Sequence, residues 1–236
     1  MMQWAKMPTR RIGGNNNLLQ DLIWKEAQNG TIIAALMLYI VLVQHANEES
    51  TYQRPEQGWT SLTYDEMCRI ACLSRAKVAA GLSLLEERRL IKRVREGRCI
   101  YCQVIEYDQG PWAKLPIKSM YDSKLLYIPA FKEFSLRNKF ELHALKLYLL
   151  LVARRDRRTN LTYLTYEQLS QLAGINSNDI KRALSFLGFP LKLIIIERIP
   201  STKNSGQLAQ AYRIEGIDPR IHLGTTNADL DFQALT

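Results

Sequence analysis

The residues best suited to chemistry lie in the segment CLSRAKVAAGLSLLEERRLIKRV, from Cys72 to Val94. Its first half predicts a helix that begins after Ser74, because serine accepts a hydrogen bond from a free amide at a helix start. The outward side of this helix would carry a cation and small side chains, which can approach base edges in a DNA groove. These candidate contacts are Ser74, Arg75, Ala76, Lys77, Ala79, Ala80 and Ser83. The alternative is that the alanines, with Gly81, only let two helices pack closely.

The second half of the segment predicts a basic β-strand and turn. Residues 69–98 hold nine basic and three acidic residues. Lysine and arginine on a hairpin can contact backbone phosphates. We interpret four cations in this way: Lys92, Arg93, Arg95 and Arg98. The alternative is a charged sheet edge that only discourages pairing with other chains.

The same pattern occurs a second time. The stretch that starts at Ser61 aligns without a gap with the stretch that starts at Tyr163, at an offset of 102 residues. Thr63 and Thr165 are predicted helix N-caps. Apolar residues at i, i+4 and i+7 predict a core-facing stripe in both copies; they are Val78, Leu82 and Leu85, and Ile180, Leu184 and Leu187. The predicted order in each copy is helix, short strand, helix, helix, strand, strand.

The second copy offers different polar side chains. Asparagine can read adenine, and lysine and arginine can contact phosphates. The candidates here are Asn176, Asn178, Lys181, Arg182 and Lys203. Arg157 and Arg158 lie in RRDRR, which ends the first helix of the second copy and runs into the following loop, and they favour either phosphate contact or a helix C-terminus. Since its hairpin is more apolar, the second copy could bind DNA weakly or mainly form a dimer.

Two short helices joined by a tight turn and followed by a hairpin are typical of a winged helix-turn-helix. The third-helix motif also resembles winged-helix regulators of the GntR and MarR type; it comprises Ser74, Arg75, Val78, Leu82, Leu85 and then Leu90-Ile91. We therefore expect a mainly α fold with small β-hairpin wings, in two tandem winged helix-turn-helix domains. The expected boundaries are 1–30 (basic N-terminal extension), 31–107 (first domain), 108–139 (packed linker), 140–216 (second domain) and 217–236 (tail).

Two such domains without a ligand-binding domain resemble the replication initiators of plasmids and phages. The resemblance implies sequence-specific binding of double-stranded DNA and initiation of replication. Two alternatives stay open: a transcriptional regulator that binds promoters, and a protein-docking module within a nucleoprotein assembly. Partners would then be double-stranded DNA and a second copy or other proteins of the complex.

Composition limits the classes of protein to which the chain could belong. A net charge of +9 and a pI near 9.4 favour a polyanionic partner. The longest apolar run, Ile32–Val43, is shorter than the roughly 20 residues that a membrane span needs, so we expect a cytoplasmic protein. No enzyme motif is present, and we expect no catalytic residue and no cofactor. Four cysteines could suggest zinc, but Cys99 and Cys102 would point to opposite faces of a strand, so we expect no metal.

Overall fold

The chain begins with a strand and two one-turn helices. The computed structural model describes residues 2–13, 18–24, 29–49, 56–96, 99–200 and 208–218. The first elements are β1 (Trp4–Pro8), α1 (Arg10–Gly13) and α2 (Leu18–Asp21). Ala5 and Met7 of β1 are buried, while Trp4 and Lys6 are half-buried. One side of this strand therefore faces the core.

The first repeated unit has the predicted element order. It comprises α3 (Asn29–Gln44), β2 (Trp59–Thr60), α4 (Tyr64–Ala71), α5 (Arg75–Glu87), β3 (Ile91–Glu96) and β4 (Cys99–Val104). Its strands form an antiparallel sheet in the order β2-β4-β3. Thr63 caps α4 in a capping box with Glu66, as the sequence predicts.

The second unit has the same order. It follows β5 (Trp112–Pro116) and a 3-10 helix (Pro129–Glu133). The unit comprises α6 (Lys139–Arg154), β6 (Leu161–Thr162), α7 (Tyr166–Ala173), α8 (Ser177–Gly188), β7 (Ile194–Pro200) and β8 (Leu208–Ile214). Its antiparallel sheet runs β6-β8-β7, and Thr165 caps α7 in a capping box with Gln168.

The expected fold class, mainly α with small β-hairpin wings, is wrong. Within the described residues the chain has three antiparallel sheets, and helices and sheets are mixed. Two of these sheets have three strands, because β2 and β6 each extend a hairpin. The third sheet pairs β1 with β5. The sequence predicts no strand at β1 or β5, because five residues give too short an alternation of apolar and polar side chains to be recognised.

The strands β1 and β5 are two copies of nearly one pentapeptide, WAKMP and WAKLP. They pair antiparallel, so that Lys6 lies opposite Lys114 and each tryptophan lies opposite a proline. The flanking hydrogen bonds also match: Thr9 N donates to Pro111 O at 3.0 Å, and Ile117 N donates to Gln3 O at 2.9 Å. The ribbon thus has a local two-fold axis through the Lys6–Lys114 pair.

The segment that follows each strand contacts the short helix of the opposite unit. After β1, Gln20 Nε2 donates to Gln171 O in α7 of the second unit, at 2.8 Å. After β5, Ile128 N donates to Ile70 O in α4 of the first unit, at 3.1 Å. Since α4 and α7 are equivalent helices, each unit contacts the segment that precedes the other unit. The whole chain is therefore built as an internal pseudo-dimer.

One hydrophobic core joins the two units. The long helices α3 and α6 pack against each other and against β1 and β5. The apolar run Ile32–Val43 lies in α3 and is buried throughout, which is typical of a helix that is hydrophobic on every side. Among the described residues, no helix is both long and apolar enough to cross a membrane.

Candidate nucleic-acid interface

Helix α5 has an inner face that holds the first unit together. Val78, Leu82 and Leu85 are buried, as their spacing predicts. A Cβ atom at Gly81 would lie 2.7 Å from Leu38 Cδ1 of α3 and 3.2 Å from a backbone nitrogen of the same helix. Gly81 therefore serves close helix packing, which is the alternative raised for the small residues.

The alanines of α5 lie on another side of the helix. Ala76 and Ser83 are exposed, and Ala79 and Ala80 are half-buried. The helix begins at the predicted cap, where Ser74 Oγ accepts a hydrogen bond from Lys77 N at 3.3 Å. These small side chains form a shallow outward surface on α5, which could lie close to the floor of a groove.

Lys77 lies apart from this surface. A Cβ atom at Gly30 would lie 2.8 Å from Lys77 Nζ, so the lysine side chain extends toward the start of α3. Its ammonium group and the exposed Ala76 therefore occupy different sides of α5.

Arg75 sits at the N-terminal end of α5 in an exposed ion pair. Its Nη1 lies 2.6 Å from Asp65 Oδ1, and the two side chains are 68% and 87% exposed. Its guanidinium also lies 5.2 Å from the ring centroid of Tyr64. Exposed ion pairs contribute only about 0–1 kcal/mol, so a phosphate or a guanine could replace Asp65 at little energetic cost. A cavity of about 200 Å³ beside Arg75 is lined by Tyr64 and Tyr101, among others.

Arg93 of β3 is committed to the fold. Its Nε donates to Glu86 Oε2 at 2.8 Å, and its Nη2 donates to Ser83 Oγ at 3.3 Å. The hydrogen bonds that Arg93 donates to Glu86 lower the pKa of the Glu86 carboxyl below its ordinary value. Arg93 thus attaches the strand to α5, and Glu86 offsets its charge.

The other cations of the hairpin lie further out. Lys92 and Arg95 are exposed, opposite Gln103 and Ile100 of β4. Arg98 falls outside the described residues. Lys92 and Arg95 therefore remain exposed phosphate candidates on β3, on opposite faces of the strand because they are three positions apart.

Helix α8 gathers the polar candidates of the second unit. Asn176 Oδ1 accepts a hydrogen bond from Asn178 N at 3.0 Å and caps the helix. Lys181 is exposed, whereas the guanidinium of Arg182 lies 4.3 Å from the ring centroid of Phe140. Lys203, in the hairpin of this unit, falls outside the described residues. The helix therefore combines capping, an aromatic contact and an exposed cation.

The second unit also exposes large apolar side chains. Phe189, just after α8, is 84% exposed. Ile195 and Ile196 of β7 are 46% and 41% exposed. In this respect it differs from the first unit, whose equivalent strand carries Lys92, Arg93 and Arg95.

Arg157 and Arg158 lie in the turn after α6. Arg157 Nη2 donates to Trp112 O at 3.2 Å, and its guanidinium lies 5.3 Å from the Trp112 ring centroid. Arg158 is exposed, and its backbone N–H donates to Asp156 Oδ1 at 2.9 Å. The structure therefore brings Arg157 to the β1–β5 ribbon.

Four residues of the ribbon were missed as candidates. They are Trp4, Lys6, Trp112 and Lys114. The signal that could have found them is the recurrence of Trp-Ala-Lys-x-Pro at Trp4–Pro8 and Trp112–Pro116. A strand pair built of two such copies places both tryptophans and both lysines on one face.

The cysteines give no metal cluster in the part of the chain that the structure describes. Cys102 is buried, and burial raises the pKa of its thiol to about 11. Cys68 and Cys72 are half-buried, and burial is the main cause that raises their thiol pKa values. Raised pKa values disfavour the thiolate that would bind a metal.

Comparison with the models of known protein families finds no match, and comparison with curated proteins finds none either. The geometry above is therefore the basis for assigning a class of protein.

Proposed function

We propose that the protein binds double-stranded DNA sequence-specifically, with α5 as its main reading helix. The observation that carries this proposal is the outward surface of α5. Ala76 and Ser83 are exposed there, while the opposite side of the helix is anchored on α3. A helix with short side chains can lie deep in a major groove, where alanine contacts a thymine methyl group and serine contacts base edges.

The charges around α5 support the same ligand. Arg75 lies at the start of the helix in an exchangeable ion pair, and Lys92 and Arg95 lie on the neighbouring strand β3. Contacts between such cations and phosphates supply the sequence-independent part of DNA affinity. The excess of basic residues in the whole chain points the same way.

The repeated architecture supports a DNA site with two parts. The second unit presents Asn178 and Lys181 on α8, which is equivalent to α5. In symmetric DNA-binding proteins, two equivalent helices read two half-sites about one helical turn apart. The different side chains of α5 and α8 predict that the two half-sites differ in sequence.

Initiation of replication on a plasmid or phage-like element is the proposed biological role. It rests on the resemblance of the two units to tandem winged helix-turn-helix initiators, and DNA of this kind lies in the cytoplasm. Regulation of transcription would use the same contacts at a promoter. Recovery and sequencing of genomic fragments bound by the protein separates the two roles, because an origin contains repeated sites and a promoter precedes a transcribed gene.

The first test replaces Arg75, Arg95 and Arg98 together by alanine. We expect affinity for a recovered fragment to fall by at least about 100-fold, since each such contact contributes about 1–3 kcal/mol. The matched control replaces three exposed cations elsewhere, Lys118, Lys124 and Arg137, by alanine. Fluorescence anisotropy measures both affinities at one salt concentration.

The second arm of this test addresses the small surface directly. Ala76→Leu adds volume with only a small loss of helix propensity, so it should weaken binding to the recovered fragment more than binding to a scrambled duplex. Equal affinity of wild type and both variants would contradict the assignment of α5. Failure of the wild type to bind any duplex at low salt would instead favour protein docking.

A further inference from the structure

The β1–β5 ribbon has an inner and an outer face. Ala5 and Met7 of β1, with Ala113 and Leu115 of β5, are buried against the core. Trp4, Lys6, Trp112 and Lys114 lie on the outer face and are half-buried. We define the cationic ribbon as this outer face together with the arginine that it holds: Trp4, Lys6, Trp112, Lys114 and Arg157.

Aromatic rings hold the cations of this surface in place. The rings of Trp4 and Trp112 stack at a centroid distance of 5.8 Å and an interplanar angle of 16°. Lys114 Nζ lies 4.5 Å from the Trp4 ring centroid, and the guanidinium of Arg157 lies 5.3 Å from that of Trp112. Lys6 Nζ lies 5.5 Å from the ring centroid of Tyr107. Contact between a cation and an aromatic face orders a long side chain before any ligand arrives.

Two cations of the cationic ribbon lie close enough to repel each other. The ladder pairing places Lys6 directly opposite Lys114, and like charges in such a pair destabilise a sheet. Arg10 adds a further cation at one end, where its Cδ lies 3.8 Å from the position of a Cβ on Gly110. An anionic ligand over this face would be attracted to both ammonium groups.

We propose that the cationic ribbon binds the phosphodiester backbone of double-stranded DNA. Each indole ring already contacts the other ring and a cation, which favours phosphate over a stacked base as the ligand. The ribbon packs on both long helices, α3 and α6, so it lies where the two units join. The proposal rests on the proposed function and adds to it a sequence-independent contact between the two reading units.

The test neutralises three cations in the full-length chain: Lys6→Gln, Lys114→Gln and Arg157→Gln. Binding to a short duplex of scrambled sequence is measured between about 50 and 200 mM salt. Each lost phosphate contact reduces the slope of log affinity against log salt by about 0.9, so three should reduce it by about 2.7. Preference for the recovered fragment over the scrambled duplex should stay at the wild-type ratio.

Two further variants serve as controls. The charge-preserving variant Lys6→Arg, Lys114→Arg and Arg157→Lys should keep the wild-type slope, which separates charge from packing of the ribbon. The variant Lys118→Gln, Lys124→Gln and Arg137→Gln removes the same charge from other exposed positions and should change the slope much less. Circular dichroism establishes that each protein is folded.

The outcomes separate this proposal from the proposed function. A neutralised ribbon with the wild-type slope, while the Arg75, Arg95 and Arg98 variant loses binding, overturns the ribbon proposal alone. Loss of the preference for the recovered fragment in the ribbon variant also overturns it, because phosphate contacts carry no sequence information. Tighter ribbon-dependent binding to a single strand than to a duplex overturns the choice of ligand. A wild-type protein that binds no duplex overturns both proposals.

Discussion

Lys146 illustrates how a single residue fixes the arrangement of three segments. It lies on α6, is 1% exposed, and donates from Nζ to Leu22 O at 3.1 Å and to Gly174 O at 3.4 Å. Leu22 follows α2, and Gly174 ends α7. Burial lowers the pKa of the ammonium group from its ordinary 10.5 to about 8, an effect that the Asp21 carboxylate partly opposes.

This pKa shift predicts a specific dependence of stability on pH. Between about pH 8 and 10.5 the unfolded chain binds a proton at Lys146 that the folded chain does not, so the free energy of unfolding rises with pH. Lys146→Met removes this contribution. We expect the free energy of unfolding of wild type minus that of the variant to rise from pH 8 to pH 10, by at most about 1.4 kcal/mol per pH unit.

Urea unfolding at several pH values measures this difference. The control is Lys118→Met, which changes an exposed lysine and should leave the pH trend unchanged. A difference between wild type and Lys146→Met that stays constant from pH 8 to pH 10 would contradict the shifted pKa.

At the scale of elements, the equivalent helices α5 and α8 each contain a glycine, but the two glycines have different surroundings. α5 lies close to α3 because Gly81 has no side chain at their contact. α8 has a glycine too, Gly188, but a Cβ atom there would meet only Ile194 O at an ordinary 3.7 Å. The sequence pattern alone does not distinguish the two glycines, because both lie within helices.

Substitution of the two glycines by alanine should therefore have opposite effects. Gly81→Ala forces its Cβ to within 2.7 Å of Leu38 Cδ1, and such overpacking destabilises by about 1–3 kcal/mol. Gly188→Ala should leave stability unchanged or raise it by up to about 1 kcal/mol, because alanine is the better helix former. The midpoints of urea unfolding provide the comparison. Similar effects of both substitutions would mean that α5 and α3 do not approach as described.

At the scale of the whole molecule, the two units share one hydrophobic core. Each contributes a long helix to the shared core, and the β1–β5 ribbon covers the join between them. The segments before α3 and before α6 reach across to the opposite helix pair through Gln20 and Ile128. Neither half of the chain therefore has a complete core of its own.

Loss of a buried side chain from one strand of the ribbon should consequently destabilise both units. Met7 and Leu115 are equivalent, and each is 0% exposed. Substitution of either by alanine should lower the free energy of unfolding by about 2–5 kcal/mol. Native-state hydrogen exchange should show lower protection in α4 and α7 alike, because both unfold with the shared core.

The exposed Met2 provides the control for this experiment. Met2→Ala removes a side chain that is 62% exposed and should leave exchange in both helices unchanged. If Met7→Ala lowered protection only in α4, or Leu115→Ala only in α7, the two units would be independent domains.

Much of each unit could be predicted from the sequence. The caps at Thr63, Ser74 and Thr165, the buried stripe of α5 and the order of elements are local properties. They depend on hydrogen bonds and periodicities that span only a few residues. The candidate residues Arg75, Ala76 and Ser83 are exposed for the same reason, since burial of one side of a helix leaves the opposite side outward.

Only the tertiary structure decided how distant segments meet. In the folded chain β1 pairs with β5 to form the two-fold ribbon, and the guanidinium of Arg157 contacts the ring of Trp112. The tertiary structure also joins Arg93 to Glu86, which commits this arginine to the fold, and it extends Lys77 toward Gly30 and away from Ala76. Helix caps and stripes are determined by neighbours in sequence, whereas these contacts depend on how separate helices and strands pack against one another, which no short stretch of the chain specifies.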